Sequence, residues 1–170
     1  MSVAAIIEVK PYLTFTLGDE LFSVEVSKVR EVLDYTNITK IPRTPEYMRG
    51  VINLRGSVVP VMDLRLKFGM SKTENKRNTC IIVLEINTDD ETIILGALAD
   101  SVQEVFELEP DQIEPAPRFG TKFKAEFLRG MGKRDENFIM ILDIDKVFTT
   151  DELSLIQDTD LSESTKVETN

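Results

Sequence analysis

The side chains this chain lacks limit its chemistry as much as those it has. There is no histidine and a single cysteine in 170 residues. The commonest general base and metal ligand is therefore missing, and one thiol makes neither an intrachain disulfide nor a Cys-cluster zinc site. Acid–base catalysis would fall to carboxylates paired in a pocket. Asp63, Asp143 and Asp145 are available, but they stand where short helices are expected to begin, and there an aspartate ordinarily caps the backbone. The chain has no phosphate loop, dinucleotide fingerprint or nucleophile elbow. No catalytic residue, metal ligand or cofactor is assigned, and the reading is a non-enzyme.

Arginine is the other chemically informative residue. Arg49, Arg55 and Arg65, with Asp63, mark the start, tip and exit of the stretch Met48–Phe68. The chain as a whole is acidic, with net charge −10 and pI near 4.6, which argues against nucleic acid and anionic membrane surfaces as partners. Yet residues 40–77 hold nine Lys/Arg against three Asp/Glu, net +6, leaving −16 on the rest. Such a segment is either a solvated basic face or a docking surface for an acidic partner.

The elements that must carry these groups are strands. Tyr12–Leu17 and Leu21–Val26 alternate apolar and polar residues across a Gly18-Asp19 turn, a first hairpin. Ser27 is expected to cap a short segment, Lys28–Leu33. Thr44, Pro45 and Glu46 suit a helix start. The Arg55-Gly56 pair between two β-branched runs signals a second hairpin, followed by a short helix from Asp63 to Phe68 ended by Gly69. Cys80–Ile86 and Ile93–Leu98 form a third apolar pair, with Cys80 as a small core residue in a reducing compartment. Pro110–Pro117 reads as a loop, Phe138–Leu142 as a buried strand and Ile144–Phe148 as a helical turn. A C-terminal helix through Leu153, Leu155 and Ile156 is an option, and Ser162–Asn170 is expected to be disordered. The first ten residues lack a basic leader, and no apolar run approaches the ~18 residues of a membrane span.

Residues 48–68 align without gaps on residues 128–148, at an offset of 80. Arg49/Arg129, Gly50/Gly130, Asp63/Asp143 and Phe68/Phe148 are identical. Upstream, Val29-Arg30-Glu31-Val32 matches Val102-Gln103-Glu104-Val105 at an offset of 73, and each follows a two-strand apolar unit. The expected fold is all-β and pseudo-duplicated: two SH3-like units of about five strands, each with a short closing helix.

The residues 49–65, RGVINLRGSVVPVMDLR, with V-x-E-V upstream and GALADSVQEV at 96–105, resemble the CheW family of bacterial chemotaxis coupling proteins. The resemblance covers roughly residues 12–150. It implies two five-stranded SH3-like β-barrel subdomains, interleaved within one domain over 12–150 with motif copies around 29–68 and 102–148. Residues 1–11 would be an N-terminal extension and 151–170 an acidic, partly disordered tail. It implies a non-catalytic adaptor that couples chemoreceptors, the methyl-accepting chemotaxis proteins, to the CheA histidine kinase. The expected partners are the helical hairpin at the receptor's cytoplasmic tip, the regulatory domain of CheA, and other CheW-like domains in rings. Its location would be cytoplasmic, at membrane-associated receptor arrays, without direct membrane insertion. The alternative is a small-ligand-binding regulatory module of a two-component pathway.

The family pattern points to Val29, Glu31, Gly50 and Arg55 as partner-binding positions, and Val102 is the equivalent of Val29. Arg55, at a turn tip, carries a planar fork suited to a carboxylate, which is either Glu31 or an acid on a partner. Gly50 and Gly130 are expected to serve backbone geometry. Val29 and Val102 are either core or the lining of a groove for a receptor helix. Asp135 replaces Arg55 in the second copy, so the two ends are expected to prefer different partners.

Overall fold

The computed structural model describes residues 9–88, 91–115, 125–149 and 151–154. Among the described residues, eleven strands form two sheets. In chain order they are β1 (Lys10–Leu17), β2 (Glu20–Glu25), β3 (Val29–Asp34), β4 (Met48–Leu54), β5 (Ser57–Asp63), β6 (Cys80–Asn87), β7 (Thr92–Ala99), β8 (Ser101–Leu108), β9 (Ile113–Glu114), β10 (Leu128–Arg134) and β11 (Asn137–Leu142). Two single-turn helices, α1 (Leu64–Lys67) and α2 (Ile144–Val147), follow β5 and β11, and residues 151–154 are helical too, as expected for the start of the C-terminal helix. The fold is all-β, built of two SH3-like units. One sheet has the order β8-β1-β2-β11-β10-β9 and the other β3-β6-β7-β5-β4.

The two sequence copies do not coincide with the two sheets. The opening hairpin of each copy is inserted in the sheet of the other. β1–β2 lies between β8 and β11, and β6–β7 lies between β3 and β5. The joints are equivalent at the residue level. Parallel pairing aligns Val61 with Gly96 in one sheet and Ile141 with Ser23 in the other, which reproduces both offsets found in the sequence. Bulges recur between Met48 and Gly50 and between Leu128 and Gly130. A bulge bends the strand and raises its twist, so both copies turn at the same place.

Period-2 burial explains why the exchange is stable. In β5, Val59 and Val61 face a small core with Ile52, Ile81, Val83 and Leu98, while Met62 faces the main core. The other sheet repeats this with Ile139 and Ile141 against Tyr12, Phe106 and Leu108. The main core joins the sheets, with Phe15, Phe22, Leu84 and Leu95 meeting Phe68, Phe127, Ile144 and Phe148. Tyr47 packs on Phe148 of the second copy at 5.8 Å, and Phe127 reciprocates on Phe68 at 5.6 Å. Centroid spacings in this range are those of favourable ring pairs.

Four local expectations change. Pro45–Met48 is a turn rather than a helix start, and the Thr44 hydroxyl donates back to the Ile41 carbonyl at 3.0 Å. That loop must deliver Met48 straight into β4, which leaves no room for a helical turn. Ser27 sits inside a 3-10 turn, Val26–Lys28, whose N-cap is Glu25, and Ser27 donates to the Glu25 carboxylate instead. Asp63 caps α1 by accepting from the Leu66 N–H, but the Asp143 side chain makes no capping bond to α2. The expected loop after β8 begins with a 3-10 turn, Pro110–Gln112, and then gives β9, because β10 offers a free edge to Ile113 and Glu114. Its end, at Ala116 and Pro117, lies outside the described residues, as do the end of the expected C-terminal helix beyond Ser154 and the segment Ser162–Asn170.

Cys80 is buried, and its thiol is pushed up to about 11, first by burial and then by the charges of Asp34 and Asp100. A thiol in that state is a packing group, not a nucleophile.

Candidate functional site

Asp63 makes a site from the inside. Its carboxylate has no exposure and accepts from Thr73 N (3.0 Å), Thr73 Oγ1 (2.8 Å), Leu66 N (3.3 Å) and Arg49 Nη1 (3.0 Å). Arg49 also donates to the Thr73 carbonyl at 3.0 Å. A buried carboxylate so fully satisfied fixes β4, α1 and the following segment together. No acceptor capacity is left for acid–base work, so this Asp is structural. Among the described residues no group of three or more Asp, Glu, Cys or His has metal-binding geometry.

The exposed chemistry lies at the hairpin tip. Arg55 and Gly56 both have positive φ, 51° and 90°, as a tight two-residue hairpin turn demands. The turn aims Arg55 at β3, where its guanidinium engages Glu31 through both nitrogens: Nη1 to Oε1 at 3.2 Å, and Nη2 to Oε2 in the closer contact. The hydrogen bond from Arg55 holds the Glu31 carboxyl below its ordinary range. This pair rims an open groove of about 530 Å³ with Arg30, Val58, Pro60 and Ile94.

The same groove recurs on the other sheet, smaller, at about 200 Å³. Its residues are the copies of the first: Glu104 for Glu31, Asp135 for Arg55, Asn137 for Ser57, Ile139 for Val59 and Leu21 for Ile94. Among the described lining residues, however, the charge is reversed. The first groove is rimmed by Arg30, Arg55 and Glu31. The second is rimmed by Glu104 and Asp135, with no Lys or Arg among the described residues that line it. Exposed apolar side chains recur at equivalent positions of the two sheets as well, Val58 being part of the first groove's lining. Val32 (43%) and Val58 (40%) on one sheet are matched by Val105 (56%) and Phe138 (53%) on the other. Four of the five large apolar residues exposed in the described structure thus form two equivalent pairs, one per end.

Glu31 and Arg55 meet. Val29 is half-buried on the same strand but packs on the main core, and Val102 does so from the other sheet. Gly50 is apart from both. A Cβ there would lie 2.1 Å from the Thr39 carbonyl oxygen, and φ is +143°. At Gly130 a Cβ would lie 2.7 Å from the Glu114 oxygen. Backbone approach therefore explains both glycines. Sequence reading missed Val58, Phe138 and Arg30. The available signal was the equivalence of Val58 and Phe138, each at the outer end of its strand, masked by continuous apolar runs that conceal which face is exposed.

A second set of contacts locks the sheets together. Lys28, just before β3, binds Asp145 of α2 at 2.7 Å, and the Asn87 N–H adds a bond at 2.9 Å. The equivalent helix position in the first copy is Arg65, which binds Asp100, just before β8, at 3.0 Å. The equivalent helix position thus makes a cross-link in both copies with opposite polarity, its partner one residue out of register, since Lys28 aligns with Ser101 and Asp100 with Ser27.

Duplicated SH3-like sheets, each with an open groove and exposed apolar side chains, make a module with two surfaces open to other molecules. The CheW-like domain model matches residues 11–152, and the chain belongs to the CheW-like family. The chemotaxis protein CheW of Klebsiella aerogenes is 37% identical over 145 residues, covering 85% of each chain. That of Thermotoga maritima is 31% identical over 138 residues, covering 79% of this chain and 85% of that one. The crystal structure of the scaffolding protein TtCheW from Thermoanaerobacter tengcongensis superposes with a TM-score of 0.75 at 34% identity, covering 85% of this chain and 91% of that one.

Proposed function

We propose that this chain is a non-catalytic chemotaxis adaptor that couples chemoreceptors to the CheA histidine kinase in the cytoplasm, at receptor arrays. Residues 12–150 work as one docking module of two interleaved subdomains, flanked by residues 1–11 and an acidic tail, 151–170. The observation that carries the reading is the pair of equivalent ends with unlike charge. A protein with different patches on its two sheets makes heterologous contacts, and such contacts close into rings when the rotation allows. The end with Val32, Val58 and the Arg55–Glu31 pair docks the CheA regulatory domain or another CheW-like domain. The acidic end, with Val105 and Phe138, docks a different surface of the next module. Val29 and Val102, half-buried in the two sheets, border the groove for the helical hairpin at the receptor tip. No described helix is long and apolar enough to cross a membrane.

Arg55→Ala tests the assignment of the basic end. The pair is solvent-exposed on the Arg55 side, so its loss should leave folding stability nearly unchanged. Co-sedimentation with CheA should fall while the melting temperature holds. Undiminished co-sedimentation would remove Arg55 from the interface.

A further inference from the structure

The connection between β3 and β4, together with α1, encloses a third groove of about 490 Å³, distinct from the two ends. Ile38, Ile41, Met48 and Leu66 give it an apolar floor. Lys40, Arg43 and Lys72 line it as well. All three are exposed, and none has an acid partner among the described residues. Arg43 is held at φ 65°, a conformation that a non-glycine residue adopts only when its surroundings fix it. Glu46 is the one acid in the lining, and Arg49, also there, is committed to Asp63. The groove thus combines apolar residues with cations that have no acid partner among the described residues, and suits an acidic peptide with apolar side chains.

We propose that its occupant is the chain's own segment 155–170, docked in cis. That segment has Asp158, Asp160, Glu163 and Glu168 against the single cation Lys166, with Leu155, Ile156 and Leu161 among them. Its point of departure is fixed beside the groove. Glu152 accepts from Tyr47 Oη at 2.9 Å and from Lys67 Nζ at 2.7 Å, and Leu153 is buried. Tyr47 sits between Glu46 and Met48 in the chain, and Lys67 follows Leu66, three residues of the groove lining. A dozen residues reach up to about 40 Å, and such a tether sets an effective concentration of the order of millimolar. Weak charge pairing is then enough for occupancy, and an acidic partner of this groove meets a resident competitor.

The test compares amide NMR spectra of the full chain with those of D158N/D160N/E163Q/E168Q, in which the tail is neutralised. Outside the tail itself, the expected result is a set of shift changes confined to residues 38–41, 43, 46 and 72, abolished in about 0.5 M salt, where the screening length is only a few Å. In a K40E/R43E/K72E background the same neutralisation should leave those amides unmoved. Identical spectra in the groove would overturn the proposal. So would changes that grow with protein concentration, which would assign the tail to a second copy.

Discussion

Glu152 shows how one residue ties a chain end to a core. Its carboxylate accepts from Tyr47, Lys67 and the Thr149 N–H, and its own N–H donates to the Thr149 hydroxyl at 3.1 Å. The Thr149/Glu152 spacing is that of a capping box, so this anchor was written in the sequence, though only the structure joins it to Lys67. The Lys67 ammonium lies 5.0 Å from the Tyr47 ring centroid and 5.5 Å from that of Phe148, a cation over aromatic faces. Burial works to raise the Glu152 carboxyl, but the bonds from Lys67, Thr149 and Tyr47 outweigh it and hold the group below its ordinary value. A depressed folded value means stability that is present above the unfolded glutamate range, about pH 4.3. That stability is lost as pH falls through the folded value. Glu152→Gln should therefore lower stability at pH 7 by about 1–3 kcal/mol. It should also flatten the loss of stability between neutral and acid pH, as followed by urea melts across that range. An acid limb of unchanged slope would show that Glu152 contributes nothing to it.

At the scale of elements, the two hairpins after the glycine bulges are the clearest comparison, because one fold position occurs twice with different strain. Gly50 combines a positive φ with a Cβ position on top of a backbone oxygen. At Gly130 the clash is smaller and no left-handed conformation is required. Gly50→Ala should cost about 3 kcal/mol or more, and Gly130→Ala distinctly less. Thermal or denaturant melts of the two variants rank them, and equal costs would contradict the strain argument. The strands themselves were legible in the sequence: alternation located the first hairpin, and Arg55-Gly56 located the central one. The recurrence at offsets of 73 and 80 also gave the pairing of equivalent parts. It could not say which sheet each opening hairpin joins. Val61 beside Gly96 and Ile141 beside Ser23 are long-range parallel pairings, and no local pattern distinguishes them from pairing within one copy. Thr44 and Ser27 misled for the opposite reason. Their local preference for capping is worth about 1 kcal/mol, and it yields to a connection that must enter a strand directly.

Taken whole, the molecule is a pseudo-two-fold body whose ends differ in charge. The cross-links Lys28–Asp145 and Arg65–Asp100 make that asymmetry internal as well. Two like copies could not exchange places without setting Lys28 against Arg65 or Asp145 against Asp100. The same divergence at the surface, Arg55 facing Glu31 at one end and Asp135 at the other, gives the module a direction. The candidate site was only partly legible for this reason. Arg55 and Glu31 announced themselves as a turn-tip cation and a nearby acid, while Val58 and Phe138 look like core residues until the sheets are assembled. The central claim is that this chain bridges receptor and kinase through these ends. It is tested most directly by mixing the purified protein with a chemoreceptor cytoplasmic fragment and CheA, and reading kinase autophosphorylation. Activity should rise only when all three are present, and Val58→Asp or Phe138→Asp in the folded protein should abolish the rise. Kinase activity indifferent to the presence of this protein would contradict the account.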